Sequence, residues 1–103
     1  MDQKSVQEII NWLENNRLAF TAMADQIWCT PEVAWHEFES SRLQADFLEK
    51  EGFSITWDIS GLNTAFVAEW GEGVPVLGFI GEYDALPGLS QKLQPSKEAL
   101  VEG

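Results

Sequence analysis

The chain has 103 residues, of which 45% are hydrophobic and 12% aromatic, and its formal net charge is -11. This length allows one domain or less, and the apolar content is sufficient to build a core, which argues against disorder. Seventeen acidic residues against six basic ones argue against binding to nucleic acid or to anionic membranes, because phosphate groups are bound by Lys and Arg. A single cysteine excludes an internal disulfide. The first residues show no apolar signal core, so a cytoplasmic location is predicted.

Two helices are predicted in the first half of the chain. Ser5 and Glu8 fit an S-x-x-E capping box, and apolar residues then recur at helical spacing, which predicts one helix over Val6–Trp28. A second apolar stripe predicts a helix over His36–Glu51. Gly52 follows it as the residue that most easily adopts the positive φ of a helix C-terminus.

Three strands are predicted to follow, in the order α-α-β-β-β. Residues 53–59 alternate apolar and polar side chains, which is typical of a half-buried strand. A second strand is predicted over 64–70 and a third, entirely apolar except for Gly78, over 74–80, with a hairpin connection at 71–73. Residues 90–103 show no firm period and are predicted to be irregular. These patterns alone support an α/β or α+β arrangement in which helices cover a sheet.

Two acidic residues, Glu82 and Asp84, lie just past the end of the predicted third strand. Open α/β sheets place ligands and catalytic groups at the carboxyl ends of their strands. In such a loop, carboxylates at positions i and i+2 can share one site, either as metal ligands or as groups that orient a ligand. From the pattern alone, the alternative that both are solvated loop acids stays open.

Four other polar residues are weaker candidates. Cys29 is expected to behave as a small buried hydrophobic residue, since free cysteines usually do. His36 beside Glu37 has the composition of a base with its orienting carboxylate, but its position at the start of the second helix favours a structural role. Glu32 and Glu37 are predicted to be structural acids, favoured by the dipole at that helix start.

Four segments carry a family resemblance: IWCTPEVAWHEFES at 27–40, ADFLEKEGF at 45–53, GLNTAFVAE at 61–69 and EYDALPG at 82–88. In this order and spacing they resemble the metal-dependent aminoacylase and carboxypeptidase family. Within it they are most similar to the amidohydrolase subgroup of the p-aminobenzoyl-glutamate hydrolase type. The resemblance extends over roughly residues 5–103.

The resemblance implies a fold and an activity. The fold would be part of a zinc-peptidase-like catalytic domain, with a mixed sheet covered by helices. The complete enzyme would cleave an amide bond in N-acyl or aminobenzoyl amino acids or dipeptide-like substrates. Two divalent metals, zinc or manganese, would polarise the carbonyl and activate a water, with a Glu further along as general base. Asp84 would lie behind the metal site and orient a ligand, and Glu82 would line the site.

The resemblance also implies that this chain is the N-terminal part of that domain and ends before the segment with the metal ligands. The chain alone is therefore expected to hold no metal or cofactor and to be inactive. It is further expected to self-associate, most simply as a two-fold dimer, because an incomplete sheet leaves apolar surface and a strand edge uncovered. The alternative is a non-catalytic acidic interaction or regulatory module derived from a truncated relative.

Overall fold

The computed structural model describes residues 1–102. They form a mixed α and β structure with three helices followed by one antiparallel pair of strands. The broad class therefore agrees with the sequence prediction, although the number of helices and strands does not. The elements in chain order are α1 Gln3–Asn15, α2 Arg17–Trp28, α3 Phe38–Lys50, β1 Ser54–Ile59 and β2 Leu62–Glu69.

The single long helix predicted over Val6–Trp28 is divided in two at Asn16. Asn16 leaves the helical region at φ -105 and ψ 6, and its side-chain amide donates to the Trp12 carbonyl at 2.8 Å. An asparagine side chain that bonds to nearby backbone groups competes with the helix, which explains the break. The predicted capping box is also wrong, because the helix begins three residues earlier and Asp2 accepts the backbone N–H of Ser5 at 2.8 Å.

The end of α3 agrees with the prediction made from Gly52. Gly52 has φ 96, its N–H donates to the Glu49 carbonyl, and the N–H of Phe53 donates to the Leu48 carbonyl, both at 3.0 Å. This pair of bonds is a Schellman motif, which satisfies carbonyls left unpaired at a helix end. The motif turns the chain directly into β1.

The two strands form a hairpin that packs against α3. Ser54 pairs with Glu69 and Trp57 with Phe66, and the register shifts between Trp57 and Ile59. The predicted alternation of β1 is confirmed, since its side chains are exposed and half-buried in turn. Helix α2 also packs against α3, where the rings of Phe20 and Phe47 lie 5.6 Å apart.

The predicted third strand is wrong. The segment Val74–Ile80 forms no backbone hydrogen bond within residues 1–102, and no hairpin forms at 71–73. Its large side chains lie in solvent, with Phe79 93% and Ile80 99% exposed. An all-apolar strand of this kind needs a neighbouring strand and cover on both faces, which residues 1–102 do not supply. The described sheet is therefore a two-stranded antiparallel pair rather than a mixed sheet.

The buried interior is small for a chain of this size. Ala45 is the one buried hydrophobic residue among those described, and the other buried residues are polar: Glu37, Ser40, Ser41 and Thr64. The accessible surface is 8624 Å², whereas a compact monomer of this mass would expose about 5,800 Å². Much apolar surface therefore stays uncovered. None of the helices within residues 1–102 combines the length and apolar character needed to cross a membrane.

Candidate functional site

The loop that carries Glu82 and Asp84 lies against the segment just before α3. The backbone N–H of Ala85 donates to the Glu32 carbonyl at 2.6 Å. Val33 and Ala85 also form an isolated parallel bridge. The backbone of the predicted site loop is therefore fixed beside the turn that leads into α3, although it belongs to no sheet.

Tyr83, between the two acids, anchors the loop to the hairpin. Its hydroxyl donates to the Thr64 carbonyl, and its ring stacks on Phe66 with centroids 6.3 Å apart and planes inclined by 14°. Burial, and after it the negative charge of Glu37, raise the pKa of Tyr83 above the ordinary value of 10.0. The hydroxyl therefore stays protonated at neutral pH and remains a hydrogen-bond donor.

Glu37 supplies a buried carboxylate next to this anchor. It is 8% exposed, and its Oε2 accepts the hydroxyl proton of Thr64 at 2.6 Å. Burial acts to raise the pKa of Glu37, but hydrogen bonds from the Thr64 hydroxyl and from backbone N–H groups outweigh it and hold the pKa below 4.5. The group is thus a buried anion stabilised by donors. Thr64 is bonded to both partners, through its hydroxyl to Glu37 and through its carbonyl to Tyr83.

Glu32 caps helix α3 from outside the helix. Its two carboxylate oxygens accept the backbone N–H groups of Glu39 at 2.9 Å and Ser40 at 2.7 Å. Burial acts to raise the pKa of Glu32, yet these bonds hold it below its ordinary value. The predicted structural role at the helix start is confirmed for Glu32, whereas Glu37 also makes a contact with the hairpin that the prediction did not include.

The two predicted site residues project away from this anchor. Glu82 and Asp84 are exposed while Tyr83 and Ala85 are half-buried, as expected when side chains alternate along an extended segment. Within residues 1–102, neither acid has a hydrogen-bond or ion-pair partner, and no group of three or more His, Cys, Asp or Glu residues is placed to hold a metal ion. Their shared role at a ligand site stays a prediction.

Cys29 and His36 are exposed like the loop acids, but they lie in other parts of the chain, at the end of α2 and before α3. Cys29 is exposed at the C-terminus of α2, so its expected burial is wrong. His36 is exposed in the turn before α3, where its N–H donates to the Val33 carbonyl at 2.9 Å. The helix begins two residues later than predicted, at Phe38. The local backbone sets the position of each residue, and within residues 1–102 neither side chain is placed in a catalytic pair.

Sequence reasoning missed the set Glu37–Thr64–Tyr83. Its members are 27 and 19 positions apart in the pairs that hydrogen-bond, and no local pattern links them. One signal was available: a tyrosine between two acids in an extended segment must face the opposite way from them. That alternation indicates an inward-facing anchor with outward-facing carboxylates.

Comparison with known proteins gives relatives for most of the chain. No family model matches it. It is 42% identical over 91 residues to one of the subunits of the p-aminobenzoyl-glutamate hydrolase of Escherichia coli (strain K12), a match that covers 84% of this chain and 19% of that protein. It is 37% identical over 81 residues to the Xaa-Arg dipeptidase of Homo sapiens, covering 66% of this chain and 19% of that protein. Its identity to the Xaa-Arg dipeptidase of Mus musculus is 36% over 78 residues, again 66% of this chain and 18% of that protein.

The matched segment spans about a fifth of the length of these relatives. The levels of identity nevertheless confirm the resemblance drawn from the four segments. The chain is a homologue of metal-dependent amidohydrolases and peptidases, and it belongs with them by sequence.

Proposed function

We propose that this chain forms the N-terminal part of the catalytic domain of a metal-dependent hydrolase, located in the cytoplasm. The hydrolase would cleave an amide bond in N-acyl or aminobenzoyl amino acids or in dipeptide-like substrates. The names of the relatives support this reaction class, since one is a hydrolase of p-aminobenzoyl-glutamate and the others are dipeptidases. The chain by itself is proposed to be inactive.

The observation that carries the proposal is the way in which the structure holds the loop of Glu82 and Asp84. Tyr83 and the backbone of Ala85 fix this loop, while the two carboxylates remain exposed and unpaired within residues 1–102. A rigid backbone with outward carboxylates is the arrangement expected of residues that orient other groups. Asp84 would orient a ligand of the reaction centre, and Glu82 would line the site.

The two divalent metals implied by the resemblance do not fit the described residues. Metal ions of this kind need three or four side-chain ligands, and no such group exists within residues 1–102. We therefore propose that this chain contributes Asp84 and Glu82 to the reaction as positioning residues and not as metal ligands.

A chimera tests the proposal. The matching segment of the E. coli hydrolase is replaced by this chain, and hydrolysis of p-aminobenzoyl-glutamate is measured. We expect activity to be retained and Asp84→Asn to lower turnover by about 10–100-fold, the usual effect of losing a group that orients a metal ligand. Glu72→Gln, an exposed acid outside the loop, is the matched control. A folded but inactive chimera, or an Asp84→Asn chimera with unchanged turnover, would contradict the proposal.

The segment Val74–Ile80 supports a second proposal, that separate copies of the chain self-associate as a two-fold dimer. The accessible surface of 8624 Å² exceeds the roughly 5,800 Å² of a compact monomer of this mass, and stable dimers bury surface on the scale of that difference. Unpaired backbone and exposed Val and Ile side chains in this segment are what another strand would cover. A strictly monomeric chain would instead favour the alternative function, a self-contained non-catalytic interaction or regulatory module.

A further inference from the structure

We propose that a cleft between α3 and the β1–β2 hairpin binds the carboxylate of a small acyl or aromatic carboxylic acid through Arg42. The cleft measures about 420 Å³ and is lined by Phe38, Arg42, Trp57, Asp58, Asn63 and Thr64. This volume falls in the range of small-molecule sites. Nothing in the names of the relatives assigns a role to these residues.

Arg42 is the group in the cleft that can recognise an anion. Its guanidinium carbon lies 5.1 Å from the centre of the Trp57 ring. It forms no ion pair within residues 1–102, although the chain has seventeen acidic residues. Stacking on an aromatic face holds the planar guanidinium in one orientation and leaves its N–H edges free. Such an edge matches a carboxylate in a two-pronged hydrogen bond.

The other lining residues select the rest of the ligand. Asn63 is exposed, and its side-chain amide makes no hydrogen bond within residues 1–102, so it offers a second donor. Phe38 is 57% exposed and gives the cleft an apolar wall. A cation and an amide beside an aromatic wall fit a carboxylate that carries a flat or apolar group.

Asp58 limits how much negative charge the cleft accepts. It lines the same cleft, and its carboxylate repels an anion bound to Arg42. A single carboxylate is therefore preferred over doubly charged phosphate, and binding is expected to be weak. Removing the charge of Asp58 should therefore strengthen binding, whereas removing the charge of Arg42 should weaken it.

The cleft adjoins the candidate loop through Thr64. This residue lines the cleft and also bonds to Glu37 and Tyr83, which anchor the loop of Glu82 and Asp84. If the proposed hydrolase function holds, the cleft would bind the carboxylate end of the N-acyl amino acid; that assignment rests on the proposed function. Binding of the carboxylate itself requires no metal and no hydrolysis.

The experiment is an NMR titration of this chain with N-benzoylglycine, following the side-chain signals of Arg42 and Asn63. Benzamide serves as the uncharged probe and inorganic phosphate as the alternative anion. We expect saturable shifts with N-benzoylglycine, and much smaller shifts with the other two. Equal shifts with benzamide would leave no role for the carboxylate, and tighter binding of phosphate would show an unselective anion surface. Either result would overturn the proposal.

Variants complete the test. Arg42→Gln should weaken binding by about tenfold or more, since hydrogen bonds between charged groups contribute most. Asp58→Asn should tighten it, and asparagine tolerates the positive φ of 54 at this position. Arg17→Gln is the matched control, because that exposed arginine lies beside Glu14 on the other helices. Unchanged binding in Arg42→Gln, whatever the effect of Asp58→Asn, would refute the site. Binding by this chain together with an inactive chimera would instead refute only the hydrolase function.

Discussion

Two neighbouring stretches of the chain, Val74–Ile80 and the loop 81–86 that follows it, differ in what holds them. The loop is anchored by the Tyr83 hydroxyl, by ring stacking and by a backbone bond from Ala85. The apolar stretch before it has no backbone partner within residues 1–102 and exposes nearly all of its side chains. The more polar stretch is thus the better fixed of the two.

This difference shows that hydrophobicity alone does not place a segment in a fold. An apolar strand is stabilised when other elements cover both its faces and pair with its edges. A loop can be held by a few specific bonds if the partner groups are buried and satisfied, as Thr64 and Glu37 are. Four predictions test this comparison, in order of their expected effect on the free energy of unfolding.

Thr64→Val should have the largest effect, a loss of about 2–3 kcal/mol. The variant keeps the shape of the side chain but leaves the buried carboxylate of Glu37 without its hydroxyl donor. Urea unfolding at low protein concentration measures the change. Thr64→Ser retains the hydroxyl and should recover most of the loss. A loss below about 0.5 kcal/mol for Thr64→Val would show that the hydrogen bond between Thr64 and Glu37 does not stabilise the fold.

The free energy of unfolding should also depend on pH, in part through the same Glu37 carboxylate. The folded pKa of Glu37 lies below 4.5, so its contribution is complete above that pH and is lost as the pH falls through the folded pKa. Glu32 contributes in the same direction. Tyr83 has a raised pKa, so its contribution is lost as the pH rises beyond 10.0.

Urea unfolding between about pH 6 and pH 3 checks the acid side of this dependence. Glu37→Gln should flatten the decline in stability, whereas Glu82→Gln, in the exposed part of the loop, should leave it unchanged. An equally steep decline in the Glu37→Gln variant would mean that other carboxyl groups determine acid unfolding.

Tyr83→Phe should cost less, about 0.5–1.5 kcal/mol, because it removes one hydrogen bond and keeps the ring on Phe66. The loss should be local, so hydrogen exchange at the Ala85 N–H should accelerate more than exchange in α3. Equal acceleration in both places would indicate that Tyr83 stabilises the whole fold rather than the loop.

Phe79→Asp should have the smallest effect on unfolding, within about 0.5 kcal/mol, because the side chain is already in solvent. It should nevertheless abolish self-association, which in the natural chain is expected to strengthen with salt as repulsion between the acidic chains is screened. Light scattering over protein and salt concentration measures this. Leu18→Asp, at another exposed apolar residue, is the control. A natural chain that stays monomeric at high concentration would contradict the proposed dimer.

The parts of the fold that the sequence predicted correctly depend on neighbouring residues. Gly52 ends α3 because its lack of a side chain allows φ 96, and the alternation in β1 follows from its pairing in the hairpin. The break at Asn16 was also a local effect, but the apolar spacing on both sides concealed the competition between its amide and the helix backbone.

The parts that were missed depend on residues far apart in the chain. Val74–Ile80 has the composition of a buried strand, but whether it pairs depends on which elements are available to cover it. The Glu37–Thr64–Tyr83 set likewise needs the loop, the hairpin and the start of α3 to meet. The position of Glu82 and Asp84 beside an anchor was predictable from the alternation, while the groups that Tyr83 contacts in that anchor were not.

The chain passes directly from α3, through the Schellman motif at Gly52, into the hairpin. This short connection affects the order of folding. The contacts of residues 38–69 are close in sequence, so little chain entropy opposes their formation, and such local units form early. The bond from Ala85 to Glu32 closes a much longer stretch of chain and is expected to form late. Pulsed hydrogen exchange during refolding should therefore protect β1 and β2 before Ala85, and simultaneous protection would indicate a single concerted step.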